Sequence, residues 1–133
     1  MLSFCIESAI PNQSPRSRGR FFFDPLSREK NMVKRSIQVQ YKGEPLKGPI
    51  RLEVTYFIKI PESASKKKKA ELLKNGENPC LKKIDLDNLM KFTGDCLKGI
   101  VFEDDSQVWD CSLKKFWGER SLSVIKVYEQ KDD

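Results

Sequence analysis

The alternation of apolar and polar positions divides the chain into a few elements. Leu2, Phe4 and Ile6 alternate with Ser3, Cys5 and Glu7, the period-two pattern of a half-buried strand. The pattern is longest between Ile50 and Ile60. There Leu52, Val54, Tyr56, Ile58 and Ile60 share one face, Arg51, Glu53, Thr55, Phe57 and Lys59 share the other, and Pro61 ends the run. A helix is predicted next, from Ser63 or Ser65 as N-cap through the lysine run Lys66–Lys69 to Asn75-Gly76. A second helix spans Asp87 to Lys98. Leu86, Leu89, Met90, Thr93, Cys96 and Leu97 recur at three- and four-residue spacings and form one apolar stripe that Gly99 breaks. Val108–Trp117 reads as a strand with Trp109, Cys111, Leu113 and Trp117 on one face. Gly118-Glu119-Arg120 reads as a turn and Leu122–Tyr128 as a last strand, the two strands predicted to pair as a hairpin. This order predicts an α/β fold: a small single domain over 1–133, with a mixed β-sheet of about four strands and two helices packed on it.

Charge changes the picture in one place. The chain carries a net +6, and Pro11–Arg35 alone holds seven basic residues against Asp24 and Glu29. With Pro11, Pro15, Gly19 and Pro25 in it, that segment reads as a basic loop or arm within 11–49, with a short strand at Phe21–Phe23. Such a balance favours an anionic partner, and nucleic acid over a membrane surface, because no basic helix shows a strong apolar face. Met1–Pro11 lacks a basic leader region and carries Glu7, and no apolar run approaches the roughly 20 residues of a membrane span. A cytoplasmic protein is expected. The four cysteines are irregularly spaced with no CxxC pair, and there is no histidine. A zinc site and a histidine general base are therefore not indicated, so any catalysis must run on carboxylates, lysine and a bound metal.

Carboxylates gather in one stretch of this basic chain: Asp85 and Asp87 at a helix start with Asn88 beside them and Lys91 one turn on, then Glu103, Asp104 and Asp105. Twelve helical residues advance the chain about 18 Å, and six extended steps after a turn at Gly99 return about 20 Å. Asp105 can thus reach back to Asp87. Oxygen donors without histidine suit Mg²⁺, which takes a few carboxylates, water and substrate phosphate. A plainer reading competes at this point. Acids are common at helix starts, Asp87 and Lys91 stand at the spacing of a routine helical ion pair, Asn88 can cap locally, and Asp104-Asp105 can be a polar turn.

The segment Asp85-Leu86-Asp87-Asn88-Leu89-Met90-Lys91, followed by Asp104-Asp105-Ser106-Gln107-Val108 and Lys115-Phe116-Trp117-Gly118, resembles the RusA family of Holliday-junction resolvases. That family shows D-x-D-N-L-x-K, then D-D-x-Q-V, then a K-x-x-G or K-x-G turn at this separation. Ile84 departs from the proline that many relatives place before the first aspartate. The resemblance implies a homodimeric endonuclease, dependent on Mg²⁺ with Mn²⁺ as a substitute, that resolves four-way DNA junctions by paired nicks in recombination and repair. It implies metal binding by Asp85, Asp87 and Asp105 and catalysis by these with Lys91, and Asp104 and Asn88 are candidate accessory residues. Arg16, Arg18, Arg20, Lys82 and Lys83 are candidate DNA contacts. Two rivals stand beside this: a nuclease for flaps or forks, and a non-catalytic DNA-binding module.

Overall fold

A computed structural model describes residues 1–13, 16–19 and 21–130, with Arg16 and Arg18 described by their backbone alone. The strands are β1 (Leu2–Ile6), β2 (Arg16–Arg18), β3 (Phe21–Phe23), β4 (Ile50–Lys59), β5 (Val108–Gly118) and β6 (Leu122–Glu129). The helices are α1 (Ser27–Gln40), α2 (Lys66–Leu73) and α3 (Leu86–Leu97), and a single 3₁₀ turn covers Asp105–Gln107. Four strands form a mixed sheet in the order β1-β6-β4-β5, and β2 and β3 form a separate hairpin. The expected α/β domain with a mixed four-stranded sheet is present.

β4 occupies the middle because its alternation gives it one fully apolar face. Ile50, Leu52, Val54, Tyr56 and Ile58 are all buried, while Arg51, Thr55 and Phe57 on the other face stay at least partly open. α3 lies on the buried face through Leu89, Phe92, Thr93, Cys96 and Leu97. Even the polar groups inside are matched: the Tyr56 hydroxyl meets Thr93 Oγ1 at 2.7 Å, and Thr93 donates to the Leu89 carbonyl. Burial pushes the Tyr56 pKa up, against the bond to Thr93, so the ring stays a neutral core residue.

Two expectations need correction. First, β5 and β6 do not pair as a hairpin, for β4 sits between them, parallel to β5 and antiparallel to β6. Four chain steps from Gly118 to Leu122 reach about 13 Å when extended, enough to bridge the roughly 10 Å across an intervening strand. Gly118 makes that arch possible, since a Cβ there would stand 2.9 Å from the Phe57 Cβ and 3.1 Å from the Arg120 carbonyl oxygen. Of the face that holds Trp109, Cys111, Leu113 and Trp117, Trp109 (62%) and Cys111 are exposed on this edge strand.

Second, the basic segment is no loop throughout, because α1 begins at Ser27. Its inner stripe is Leu26, Lys30, Val33 and Ile37, all buried at spacings of four, three and four. A lysine at a core position hides that stripe from a reading based on charge. The Lys30 ammonium bonds Asp24 at 2.5 Å and Asp95 at 2.9 Å, joining α1 to the end of the hairpin and to α3. Asp24 also accepts from the Leu26 amide and so turns the chain into the helix. At its far end α1 places Gln40 against β1, where its amide both accepts from Cys5 N–H and donates to Cys5 C=O at 3.0 Å. α2 starts at Ser65, whose hydroxyl accepts from the Lys68 amide, and it buries no residue of its own. No helix among the described residues is long and apolar enough to cross a membrane.

Burial works to lower the Lys30 pKa, but the bonds to Asp24 and Asp95 outweigh it and the net shift is upward. The hydrogen bond from Lys30 holds the Asp24 carboxyl below its ordinary value. The Asp24 contribution to stability is therefore present above about pH 4 and lost as acid reaches its depressed pKa. That of Lys30 is present below about pH 10 and lost above its raised one. Lys30→Met should cost about 1–3 kcal/mol in urea unfolding at pH 7. It should also flatten the acid limb of stability against pH, and an unchanged acid limb would refute the assignment.

Candidate active site

α3 and the turn that follows it bring the acidic motifs to one cleft. Asp85 is the N-cap residue of α3, yet its side chain makes no capping hydrogen bond. Asp87 lies in the first turn and Lys91 one turn later on the same face. The plainer reading placed acids at the helix start, as they are, and paired Asp87 with Lys91; a capping bond would also have occupied Asp85. Neither is made, and among the described residues no lysine or arginine nitrogen lies within 4.0 Å of Asp85, Asp87 or Asp105. These carboxylates are free for other partners.

Gly99 (φ 82°) ends α3, its N–H bonding the Phe102 carbonyl at 2.7 Å, and Val101 and Phe102 drop into the core. The chain then turns back along α3. Asp104 holds this return in place. Its carboxylate accepts from the Ser106 amide and hydroxyl and pairs with Lys98 at 3.3 Å, while Gln107 Oε1 accepts from the Asp104 amide. These bonds, that from the Ser106 hydroxyl foremost, pull the Asp104 pKa to about 2. Gln107 donates its amide hydrogens to the Leu46 and Gly48 carbonyls, fixing the turn to the approach of β4. Asp104 thus serves the geometry of the turn, and its neighbour Asp105 is left facing α3. A Cβ on Gly94 would stand 3.8 Å from Asp105 Oδ1.

Asp87, Lys91, Gly94 and Asp105 line a cleft of about 430 Å³ closed on its apolar side by Phe102 and Leu113. Asp85 is exposed at the helix start and is not among the lining residues. Among the described residues no three acidic or cysteine side chains are grouped as a ready metal site. Asp87, Asp105 and Lys91 thus line one cleft, and Asp85 stands two residues before Asp87 at the start of α3. As a donor set, two exposed, unpaired carboxylates with a third close in sequence fit a hard cation that keeps part of its water.

The remaining sequence-predicted residues fall around this cleft. Asn88 is half-buried, and its backbone carbonyl accepts from the Asn12 amide at 2.8 Å. Lys82 and Lys83 are exposed on the segment leading into α3. Arg16 and Arg18 are on β2, and Arg20 lies outside the described residues. Lys115 has a role that its place in a motif did not disclose. Its ammonium donates to the Lys82 carbonyl at 3.0 Å and the Ile84 carbonyl at 2.8 Å, clamping the backbone just ahead of Asp85. The same segment runs beside β5, with Cys80 N–H bonding the Lys115 carbonyl and Trp117 N–H the Asn78 carbonyl.

The sequence profile of the family described as Endodeoxyribonuclease RusA matches residues 10–128, from ahead of the hairpin to Tyr128 in β6. The chain belongs to the RusA family. Over 83 residues it is also 34% identical to a protein of Bacillus subtilis (strain 168) named Uncharacterized protein YqaN, covering 62% of this chain and 58% of that protein. The chain thus matches less than two thirds of that relative's length. Within the RusA family frame, the free carboxylates and the committed Asp104 fall inside the matched span.

Replacing Lys115 by Met removes the donor to two carbonyls and should cost about 1–3 kcal/mol. The loss should be local. Amide exchange is expected to rise across Lys83–Asn88 while β4 keeps its protection, and a uniform rise through both would argue against a clamp.

Proposed function

We propose that this chain is a Mg²⁺-dependent endodeoxyribonuclease that resolves four-way DNA junctions by paired, symmetric nicks. The observation that supports the reading is that Asp87, Asp105 and Lys91 line one cleft inside a RusA-family span, with neither carboxylate in an ion pair among the described residues. Asp87 and Asp105, joined by Asp85 from the helix start, would hold the cation, with Mn²⁺ able to replace it. When bound, such an ion lowers the pKa of water and neutralises charge developing on phosphate.

The chain's own groups do the rest. Lys91, without a carboxylate partner within 4.0 Å among the described residues, would donate to a phosphate oxygen at the scissile bond. Lys82 and Lys83, beside the start of α3, and the arginines of the hairpin segment would hold the flanking backbone. Those contacts position the duplex arms without reading sequence, and they make affinity fall steeply with salt. Asp87 and Asp105 orient the attacking water by accepting its hydrogens. A junction has near-twofold symmetry, so two nicks of matching position call for two copies of the chain related by a twofold axis.

A labelled synthetic four-way junction tests this. With Mg²⁺ the protein should nick two opposed strands, and without it the junction should be bound and left whole. Asp87→Asn should bind within a few-fold of the unaltered protein while cleavage drops by roughly a hundredfold or more. Cleavage by Asp87→Asn at the original rate would remove the site from the mechanism. Equal cutting of flaps, forks or linear duplex would remove the junction from the substrate.

A further inference from the structure

The most exposed aromatic surface of the described chain stands on the β2–β3 hairpin. Phe21, Phe22 and Phe23 are 77%, 81% and 45% exposed, three adjacent rings in water. Strand geometry sends Phe21 and Phe23 to one side of the ribbon and Phe22 to the other. Apolar surface of this kind marks a contact site. Its two-sidedness suits a wedge better than a patch that rests on a flat protein face.

The hairpin is also held where a wedge would be useful. Its leading arm is tied to α3 by the bond from Asn12 N–H to the Asn88 carbonyl. Its trailing arm is tied to the same helix through Asp24, Lys30 and Asp95. Asn88 stands three residues before Lys91 along α3, and Asp95 four after it. Both roots of the hairpin therefore grip the helix on either side of Lys91. Charge identifies the occupant. Seven basic and two acidic residues in 11–35 give this segment +5, so a second copy of the same segment would meet it with like charge, whereas a polyanion would be attracted.

We propose that the β2–β3 hairpin is a branch-point wedge: its phenylalanine rings insert against DNA bases unstacked at the junction while the cleft beneath engages the phosphate backbone. This rests on the reading of the chain as a junction nuclease and adds the element that selects branched over linear DNA. Apolar side chains inserted between base steps recoup part of the cost of unstacking, and a branch point has already met some of that cost. Aromatic stacking accepts any base, so the wedge recognises the discontinuity of the stack and leaves sequence unread.

The test uses the 133-residue chain in EDTA, a four-way junction, and a linear duplex of equal length. 2-Aminopurine is placed either at the branch or in the middle of an arm. The unaltered protein should change the fluorescence of the branch probe and leave the arm probe unchanged. The combined Phe21→Ala, Phe22→Ala, Phe23→Ala variant should lose that change and weaken junction binding by roughly 5- to 150-fold for each base stacked. Its duplex binding should stay within a few-fold, and a combined tyrosine variant should restore both readouts. Equal losses on junction and duplex, or none on either, would overturn the wedge. So would sedimentation showing that the alanine variant has lost a subunit, because the rings would then face a second copy. An unaltered protein with no preference for the junction would overturn the nuclease reading and the wedge together; a preference kept by the alanine variant would overturn the wedge alone.

Discussion

A lysine ammonium held inside the protein between two carboxylates fixes the relation between its parts. Lys30 stands at a core position of α1, 7% exposed, with Asp24 on one side and Asp95 on the other. A charge removed from water must be matched closely or it will unfold its surroundings, so helix α1, the hairpin end and helix α3 cannot shift independently. The remaining architecture is built on that junction. α3 lies on the apolar face of β4, and the hairpin is tied to it through Asn88 and Asp95, while the returning loop is held by Lys98 at the end of α3 and by Gln107 to the approach of β4.

The site itself divides work among residues of the same type. Asp104 and Asp105 are neighbours, yet one holds bonds from Ser106 and Lys98 and the other has no ion-pair partner among the described residues. At the helix start the usual capping duty is absent, and the task of holding the backbone passes to Lys115 from a different strand. Structural demands on the turn and the helix start are thus met by Asp104, Gln107 and Lys115, none of which lines the cleft.

How much of this the sequence disclosed follows from where each partner lies. Period-two alternation identified β1 and β4, and three- and four-residue spacing identified α3, because those signals are local. Asp87 and Asp105 could be brought together on paper because Gly99 marked the turn and chain lengths on either side nearly cancel. α1 escaped notice since Lys30 replaces an apolar residue in its stripe, and only Asp24 and Asp95, six and 65 residues away, make that tolerable. Sheet order was equally hidden. Two strands joined by three residues look like a hairpin, and nothing nearby in sequence announces that β4 lies between them. Gln107 and Lys115 act on carbonyls 59, 61, 31 and 33 residues away, which no motif encodes.

The side chain of Gln40 carries one more consequence. By pairing with both the amide and the carbonyl of Cys5, it imitates a neighbouring strand at the outer rim of β1. At the opposite rim, Asn78 and Cys80 occupy the backbone of β5 near Lys115 and Trp117. An unguarded border of this kind is where sheets add to one another and precipitate. With both borders partly stoppered by its own groups, the sheet leaves less open edge on which a strand of a second copy could add.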